Sequence, residues 1–183
     1  MKYLFVFFLI SAKLYSQIPL GNIINATPDK ELSKIIFDGV NQYRDTLNLK
    51  PFIWSEFYYQ SALKVNKGVI DTEILTHYLE DDVNASMEMY CLVYVDFDRS
   101  NTKQISDSVV LGWRSSIDHR GGLEQPIQKK VGDTYTDVYR NWDYILGSKY
   151  GAISAIRYDT YRHGELKHIV LVFMHSGQFA DKY

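Results

Sequence analysis

One histidine lies at the centre of the stretch that is richest in chemical possibilities. His119 belongs to segment 109–123, V-V-L-G-W-R-S-S-I-D-H-R-G-G-L, and is followed closely by Gly121 and Gly122. Spacing predicts a helix before it, whose buried stripe comprises Ile105, Val109, Gly112, Trp113 and Ser116. Because paired glycines oppose helix continuation, His119 is expected just past the helix end. An imidazole there can face a cleft and bind a metal or exchange a proton. Alternatively, it is exposed and caps the helix C-terminus.

A second candidate group is Glu88, the one charge in the apolar, strand-like run 87–95. An unpaired buried carboxylate is costly, so Glu88 is expected to reach a cleft or to meet a partner such as an imidazole. Alternatively, it lies at the start of the strand and meets water. Cys91, the only cysteine, lies in the same run and is expected to be a buried, inert thiol.

Ordinary catalytic signatures are missing from the sequence. It has no Gly-x-Ser-x-Gly elbow, phosphate-binding glycine loop, cysteine pair or His-Glu-x-x-His motif. Ser116 could act as an acyl-transfer nucleophile beside His119, but a serine at a helix end is more often a cap, and no acid is evident to orient the histidine. The remaining histidines have no distinctive spacing and are expected to be structural; they are His163, His168 and His175.

Length and composition fit one globular domain with a sizeable core, since 183 residues leave no room for two. The apolar run from Tyr3 to Ala12 is too short to span a bilayer and is typical of a secretory signal, expected to end near Ser16. Its removal takes two of the 20 basic residues, Lys2 and Lys13, and leaves 18 against 22 acidic ones. This balance argues against nucleic acid as a partner, and no transmembrane anchor is expected after removal of residues 1–16.

The chain after the signal is expected to open with an irregular lead-in segment at 17–26. Regular structure is predicted to begin at Thr27, which caps a helix with Pro28 at its first position. The buried face of this helix is formed by Leu32, Ile35, Ile36, Val40, Tyr43 and Leu47. A turn at 48–51 ends it, and Ser55 is the predicted N-cap of a second helix.

Four sequence pieces in order then carry a family resemblance. They are Asn41-x-x-Arg44, the run L-K-P-F-I-W-S at 49–55, Ser61-Ala62, and Gly112-Trp113-x-x-Ser116-x-x-His119-Arg120. Together they resemble the CAP superfamily of cysteine-rich secretory proteins, antigen 5 and plant pathogenesis-related proteins, most closely its short, disulfide-free bacterial branch. The resemblance covers most of residues 30–176, with gaps.

The resemblance implies an α+β fold over residues 27–178, in which a small, mainly antiparallel sheet lies between helical layers as a three-layer α-β-α sandwich. It also implies a cleft lined by His77, Glu88 and His119. His119 takes the place of one family histidine, His77 of the other, and Glu88 of the glutamate in the family's Gly-Glu-Asn segment. The chain departs from the pattern where methionines flank Glu88, and where Gly122 replaces the usual asparagine.

The residues themselves support part of this expectation. Within 167–175 the set Ile169, Leu171 and Phe173 and the set Val170, Val172 and Met174 are both apolar, which describes a strand covered on both faces, and 152–158 has a similar pattern. The chain departs most from the family between 123 and 151, where an inserted helix is predicted near 134–146 from Tyr135, Val138, Tyr139, Trp142 and Leu146. Trp142 would then wall the cleft, or the helix would pack on the sheet as a satellite.

These observations predict a secreted or periplasmic CAP-type domain. It is expected to be a non-catalytic binding module, whose cleft takes a small apolar ligand, a glycan or an extracellular protein. The cleft residues would be His77, Glu88, His119 and Trp142. The alternative is a hydrolase in which His77 and His119 hold a divalent metal such as zinc, with Glu88 as third ligand or base. For the fold, Trp113 and Tyr43 are expected to be buried.

Overall fold

A computed structural model describes residues 6–7, 18–75, 87–95, 101–116, 119–120, 123–124, 128–132, 134–137 and 148–177. The helices are α1 Lys30–Thr46, α2 Glu56–Thr72 and α3 Thr102–Ser115. The strands are β1 Val6–Phe7, β2 Ile18–Pro19, β3 Asn22–Pro28, β4 Ile53–Trp54, β5 Ile74–Leu75, β6 Met87–Val95, β7 Gln128–Val131, β8 Thr134–Asp137, β9 Tyr150–Arg162 and β10 Glu165–Gly177.

One six-stranded sheet organises the molecule. Its strand order is β1-β6-β10-β9-β3, and β4 pairs with the first residues of β9. All these pairs are antiparallel except β4 with β9. The strands around Cys91, Ile153 and Leu171 therefore share one mainly antiparallel sheet, as the sequence predicted.

Helices cover both faces of this sheet. On one face α1 and α3 pack on Val170, Val172 and Met174 of β10. On the other face α2 packs on a second core that includes Leu171 and Phe173. The alternating residues of β10 therefore enter two different cores, which explains why both sets are apolar. The fold is an α+β three-layer sandwich, and the prediction of its class is confirmed.

The tryptophan expected in the core is there, since Trp113 is 1% exposed. Tyr43 is only partly buried at the border of the same core, because its hydroxyl reaches a polar partner, Glu124. Ser55 caps α2 by accepting a hydrogen bond from the Tyr58 backbone, as predicted.

The predicted start of the first helix is wrong. Thr27 and Pro28 end strand β3, and Asp29 is the N-cap of α1, accepting from the Leu32 backbone at 2.8 Å. The second carboxylate oxygen of Asp29 accepts from Arg157 Nε on β9 at 2.7 Å. This distant partner explains the choice of cap, since Asp29 fixes the helix and the sheet together.

The lead-in segment contains strands that the sequence did not predict. Within 17–26, Ile18–Pro19 pair with β5, and Asn22 begins a strand that pairs with the far end of β9. Leu20 between them is fully buried against α2. The sequence did not predict this strand, because it contains polar residues and lacks a periodic pattern. Its partner lies more than a hundred residues away.

The inserted helix predicted near 134–146 is wrong over its first four residues. Thr134–Asp137 form β8, which pairs antiparallel with β7 across a turn containing Gly132 at φ 62°. That glycine permits a left-handed turn conformation, and Thr and Tyr favour extended backbone. Residues 138–147, with Trp142, lie outside the described residues.

No helix within the described ranges is both long enough and apolar enough to cross a membrane.

Candidate functional site

The candidate residues belong to one end of the sheet. β6 begins at Met87 opposite Ser176, and β9 begins at Tyr150 opposite Gly177. β4 adds Ile53 beside Tyr150. The first residues of three strands and the last residues of β10 therefore meet at this end, which we call the site end.

The chain after α3 is tied to the site end through α1. The carbonyl of Leu123 accepts from Arg44 Nη1 at 2.5 Å. The same guanidinium donates to the carbonyl of Lys50, through Nε at 2.9 Å and Nη2 at 2.8 Å. Since Lys50 closely precedes β4, Arg44 joins the His119 region to the strands of the site end.

His119 itself is half-buried, and its ring has a defined neighbour. Nδ1 lies 2.9 Å from Ser116 Oγ, and the tautomer decides which of the two donates. α3 has already ended at Ser115, where the backbone of Ser116 turns extended at φ −93° and ψ 128°. His119 therefore comes after the end of α3, but the prediction that the glycine pair ends the helix is wrong: α3 stops at Ser116, His119 and Arg120 are helical again, and Leu123, after the glycine pair, is helical too.

Helical hydrogen bonding resumes around the histidine. The Arg120 amide donates to the Ser116 carbonyl at 2.8 Å, and the Glu124 amide donates to the Arg120 carbonyl at 2.9 Å. We call residues 116–124 the His119 turn; residues 117–118 and 121–122 within it lie outside the described residues. The Ser116 hydroxyl contacts the His119 ring and its carbonyl accepts from Arg120, so this residue supports both the ring and the backbone of the turn.

A second contact from α1 braces the same turn. The hydroxyl of Tyr43 donates to Glu124 Oε1 at 2.6 Å, a short bond of the kind expected with a charged acceptor. Burial raises the pKa of Tyr43, and the hydrogen bond to Glu124 adds to the effect. Tyr43 therefore remains protonated, and able to donate, throughout the physiological pH range.

Arg44 is an unusual brace because it is a cation in the core. It is 1% exposed, and burial lowers its pKa to about 10. It stays charged near neutral pH, with its guanidinium carbon 3.9 Å from the centre of the Phe52 ring. Its bonds to two carbonyl oxygens and this cation–π contact compensate for the water it has lost.

The register places Glu88 opposite His175, a histidine that the sequence analysis treated as structural. His175 is fully buried, with Nδ1 2.8 Å from Ser61 Oγ of α2 and its ring 4.4 Å from that of Phe173. The side chain of Glu88 lies outside the described part of the structure. At the level of the backbone, Glu88 is the second residue of β6 and belongs to the site end.

Two of the predicted cleft residues, His77 and Trp142, lie outside the described residues. Within the described ranges, no group of three His, Cys, Asp or Glu side chains could hold a metal ion. The metal site of His77, His119 and Glu88 therefore stays a prediction.

The sequence analysis missed the residues that hold His119 in place. Arg44 was noted only as part of a motif, and Glu124 had no signal because its partner lies 81 positions away. The pairing of Ser61 with His175 spans 114 positions and was missed for the same reason.

Comparisons with known proteins add little on function. No protein-family model and no curated protein matches this chain. Among solved structures it is similar to an outer surface protein from Borrelia burgdorferi, with 15% sequence identity and a TM-score of 0.47, over 87% of this chain and 99% of that one. Function is therefore argued from the residues of this chain.

Proposed function

We propose that this chain is an exported, CAP-type binding module that holds its ligand at the site end without turnover. The observation that carries the proposal is the His119 turn, in which a half-buried imidazole is oriented by Ser116 and the turn is braced by two bonds from α1. A side chain held in this way is pre-organised, so it loses little conformational entropy when a ligand binds to it.

The sequence around the site end supports the same assignment. The segment that leads into β6 contains His77, and the segment that leads into β9 contains Trp142. Glu88 is the second residue of β6. A site built from one aromatic and a few polar side chains would suit a small apolar ligand, a glycan or a segment of an extracellular protein. Export is proposed from the signal-like run at 3–12, and places the module in the periplasm or outside the cell.

The alternative is a metal-dependent hydrolase, and the position of Glu88 at the site end favours it. A divalent ion such as zinc would need His77 and His119 as nitrogen ligands and Glu88 as third ligand or base. Against this alternative, the sequence lacks the familiar hydrolase motifs.

Binding and turnover can be separated with one histidine substitution and one matched control. The chain from Gln17 onward is titrated with zinc by calorimetry, applied to a glycan array and to a fluorescent fatty acid, and assayed against hydrolase substrates with and without zinc. We expect a glycan or the fatty acid to bind, His119→Ala to weaken that binding by about tenfold or more, and no substrate to turn over.

The control is His163→Asn, which removes an exposed imidazole from the β9–β10 turn. Asparagine tolerates the left-handed backbone of that residue, at φ 53°, so the fold is preserved. Zinc-dependent turnover that His119→Ala abolishes would establish the hydrolase instead. Equal binding by His119→Ala and wild type would remove His119 from the site.

A further inference from the structure

Two arginines beside the His119 turn have no acidic partner. Arg114 lies in the last turn of α3, Arg120 directly follows His119, and both arginine side chains are exposed. Neither arginine forms an ion pair within the described residues, although acidic residues outnumber basic ones in the chain. Several other cations do have carboxylate partners; these are Lys30, Lys103, Arg157 and Lys167. The two arginines therefore differ from most of the paired charges on this surface.

The nearby carboxylate of Glu124 does not pair with either arginine. Arg120 and Glu124 lie four positions apart, a spacing at which opposite charges can meet on a helix. The Glu124 carboxylate instead accepts from the Tyr43 hydroxyl at 2.6 Å. Asp118, the other acid of this turn, lies outside the described residues. The described acid of the turn thus serves α1, and the two guanidinium groups remain available to another anion.

Both guanidinium groups act on the same phenol. The guanidinium carbon of Arg114 lies 6.0 Å from the centre of the Tyr43 ring. Burial and the hydrogen bond to Glu124 raise the pKa of Tyr43, and the positive charges of Arg114 and Arg120 oppose that rise. The two charges therefore lie within electrostatic reach of one point on the border of the His119 turn.

A third cation lies beneath this turn. Arg44 is buried, and its Nη1 donates to the carbonyl of Leu123 within the turn. A buried charge is screened less than an exposed one, so Arg44 adds to the positive potential at this place. His119, oriented by Ser116, lies between Arg114 and Arg120 in the sequence. The half-buried imidazole is thus surrounded by positive charge.

The helix dipole accounts for only one of the exposed arginines. A cation in the last turn of a helix is stabilised by the partial negative charge of that end, and Arg114 has this position in α3. Arg120 comes after α3 has ended. A planar guanidinium donates paired hydrogen bonds to a carboxylate, and two of them beside one imidazole suit an acidic ligand.

We propose that the ligand of the site end carries a carboxylate, which binds to Arg114 and Arg120 beside His119. This inference rests on the proposed binding function and narrows its ligand to an acid. Among small apolar ligands the acid is a fatty acid, and among glycans it is an oligosaccharide that contains uronic acid. Both sources present the same carboxylate to the two arginines.

A fluorescent fatty acid and its methyl ester test the inference, because they differ in the charged group and share the apolar chain. With the chain from Gln17 onward, we expect the acid to bind about tenfold more tightly than the ester. The double variant Arg114→Gln/Arg120→Gln should abolish this preference, and each single variant should reduce it. On a glycan array, uronic oligosaccharides should likewise bind better than neutral ones. A preference for the acid in either arm supports the inference and identifies the source.

The control for the single variants is Lys67→Gln, which removes one positive charge from the exposed face of α2. It should keep the wild-type preference, and circular dichroism establishes that each variant is folded. If a ligand binds but the acid is not preferred, the inference is wrong and the binding function stands. A preference that survives the double variant would also overturn the inference. If neither the fatty acid, its ester nor any glycan binds, both the inference and the proposed function are wrong.

Discussion

At the scale of single residues, two neighbours at the end of α1 do most to hold the His119 turn. Tyr43 reaches Glu124 and Arg44 reaches Leu123, across 81 and 79 positions of sequence. The Asn41-x-x-Arg44 motif acquires a physical reason, since the Asn41 amide exchanges two hydrogen bonds with the backbone of Phe52, at 3.0 and 2.8 Å. The motif fixes the connection between α1 and α2, and Arg44 extends that support to the His119 turn.

Replacing Arg44 should therefore be costly. Arg44→Met keeps an unbranched apolar stem but removes every donor, and leaves the buried carbonyl of Leu123 and the partly buried carbonyl of Lys50 without this partner. We expect the free energy of unfolding to fall by about 3 kcal/mol, the upper range for hydrogen bonds to a charged group. Urea denaturation measures the change.

The matched control for Arg44 is Lys67→Met, which removes a cation from the exposed face of α2. It should change the free energy of unfolding by no more than about 0.5 kcal/mol. If the two variants unfold at the same urea concentration, the hydrogen bonds of Arg44 do not contribute to the free energy of unfolding.

At the scale of elements, α3 depends on the tryptophan that its spacing singled out. Trp113→Ala should lower the free energy of unfolding by about 3–5 kcal/mol, because it empties a fully buried site between α1, α3 and β10. Leu111→Ala lies on the same helix at 49% exposure and should cost far less. A Trp113 variant as stable as the Leu111 variant would contradict the packing of this layer.

Local rules predicted the elements that are determined locally. The Ser55 cap, the buried stripe at Ile105, Val109, Gly112 and Trp113, and the doubly apolar strand at 169–174 depend on neighbours within a few residues, and each is confirmed. Ser116, the last residue predicted for that stripe, is instead the C-cap of α3. β3 was missed because its polar sequence becomes a strand only through pairing with β9. Asp29 displaced Thr27 as cap because Arg157, 128 positions away, pairs with its carboxylate.

The aromatic segment after Gly132 shows a limit of periodicity itself. Tyr135 fits a helical repeat with the later aromatics, yet Thr134–Asp137 also alternate as a strand, and a glycine turn lets them pair with β7. Because these four residues fit both the helical and the strand period, the turn that pairs β8 with β7 determines which structure forms. In the candidate site, the contact of His119 with Ser116 is local in sequence, whereas the bond from Tyr43 to Glu124 that braces the same turn depends on the tertiary fold.

At the scale of the whole molecule, the sheet links two cores and two distant surfaces. α1 and α3 close one face and α2 the other, so β9 and β10 are covered along most of their length. The His119 turn lies at one end, and at the other end β9 and β10 meet in the turn at His163 and Gly164.

This arrangement depends on the segment before α1, which is part of the domain. A chain that begins at Gln17 should unfold in one cooperative transition, whereas one that begins at Thr27 lacks most of β3, all of β2 and the buried Leu20. We expect the shorter chain to lose cooperative thermal unfolding, as followed by circular dichroism.

Within the longer chain, Leu20→Ala should lower the free energy of unfolding by about 2–5 kcal/mol. Ile24→Ala, at an exposed neighbouring position, should lower the free energy of unfolding much less. If the shorter chain unfolds at the same midpoint as the longer one, residues 17–26 do not stabilise the domain.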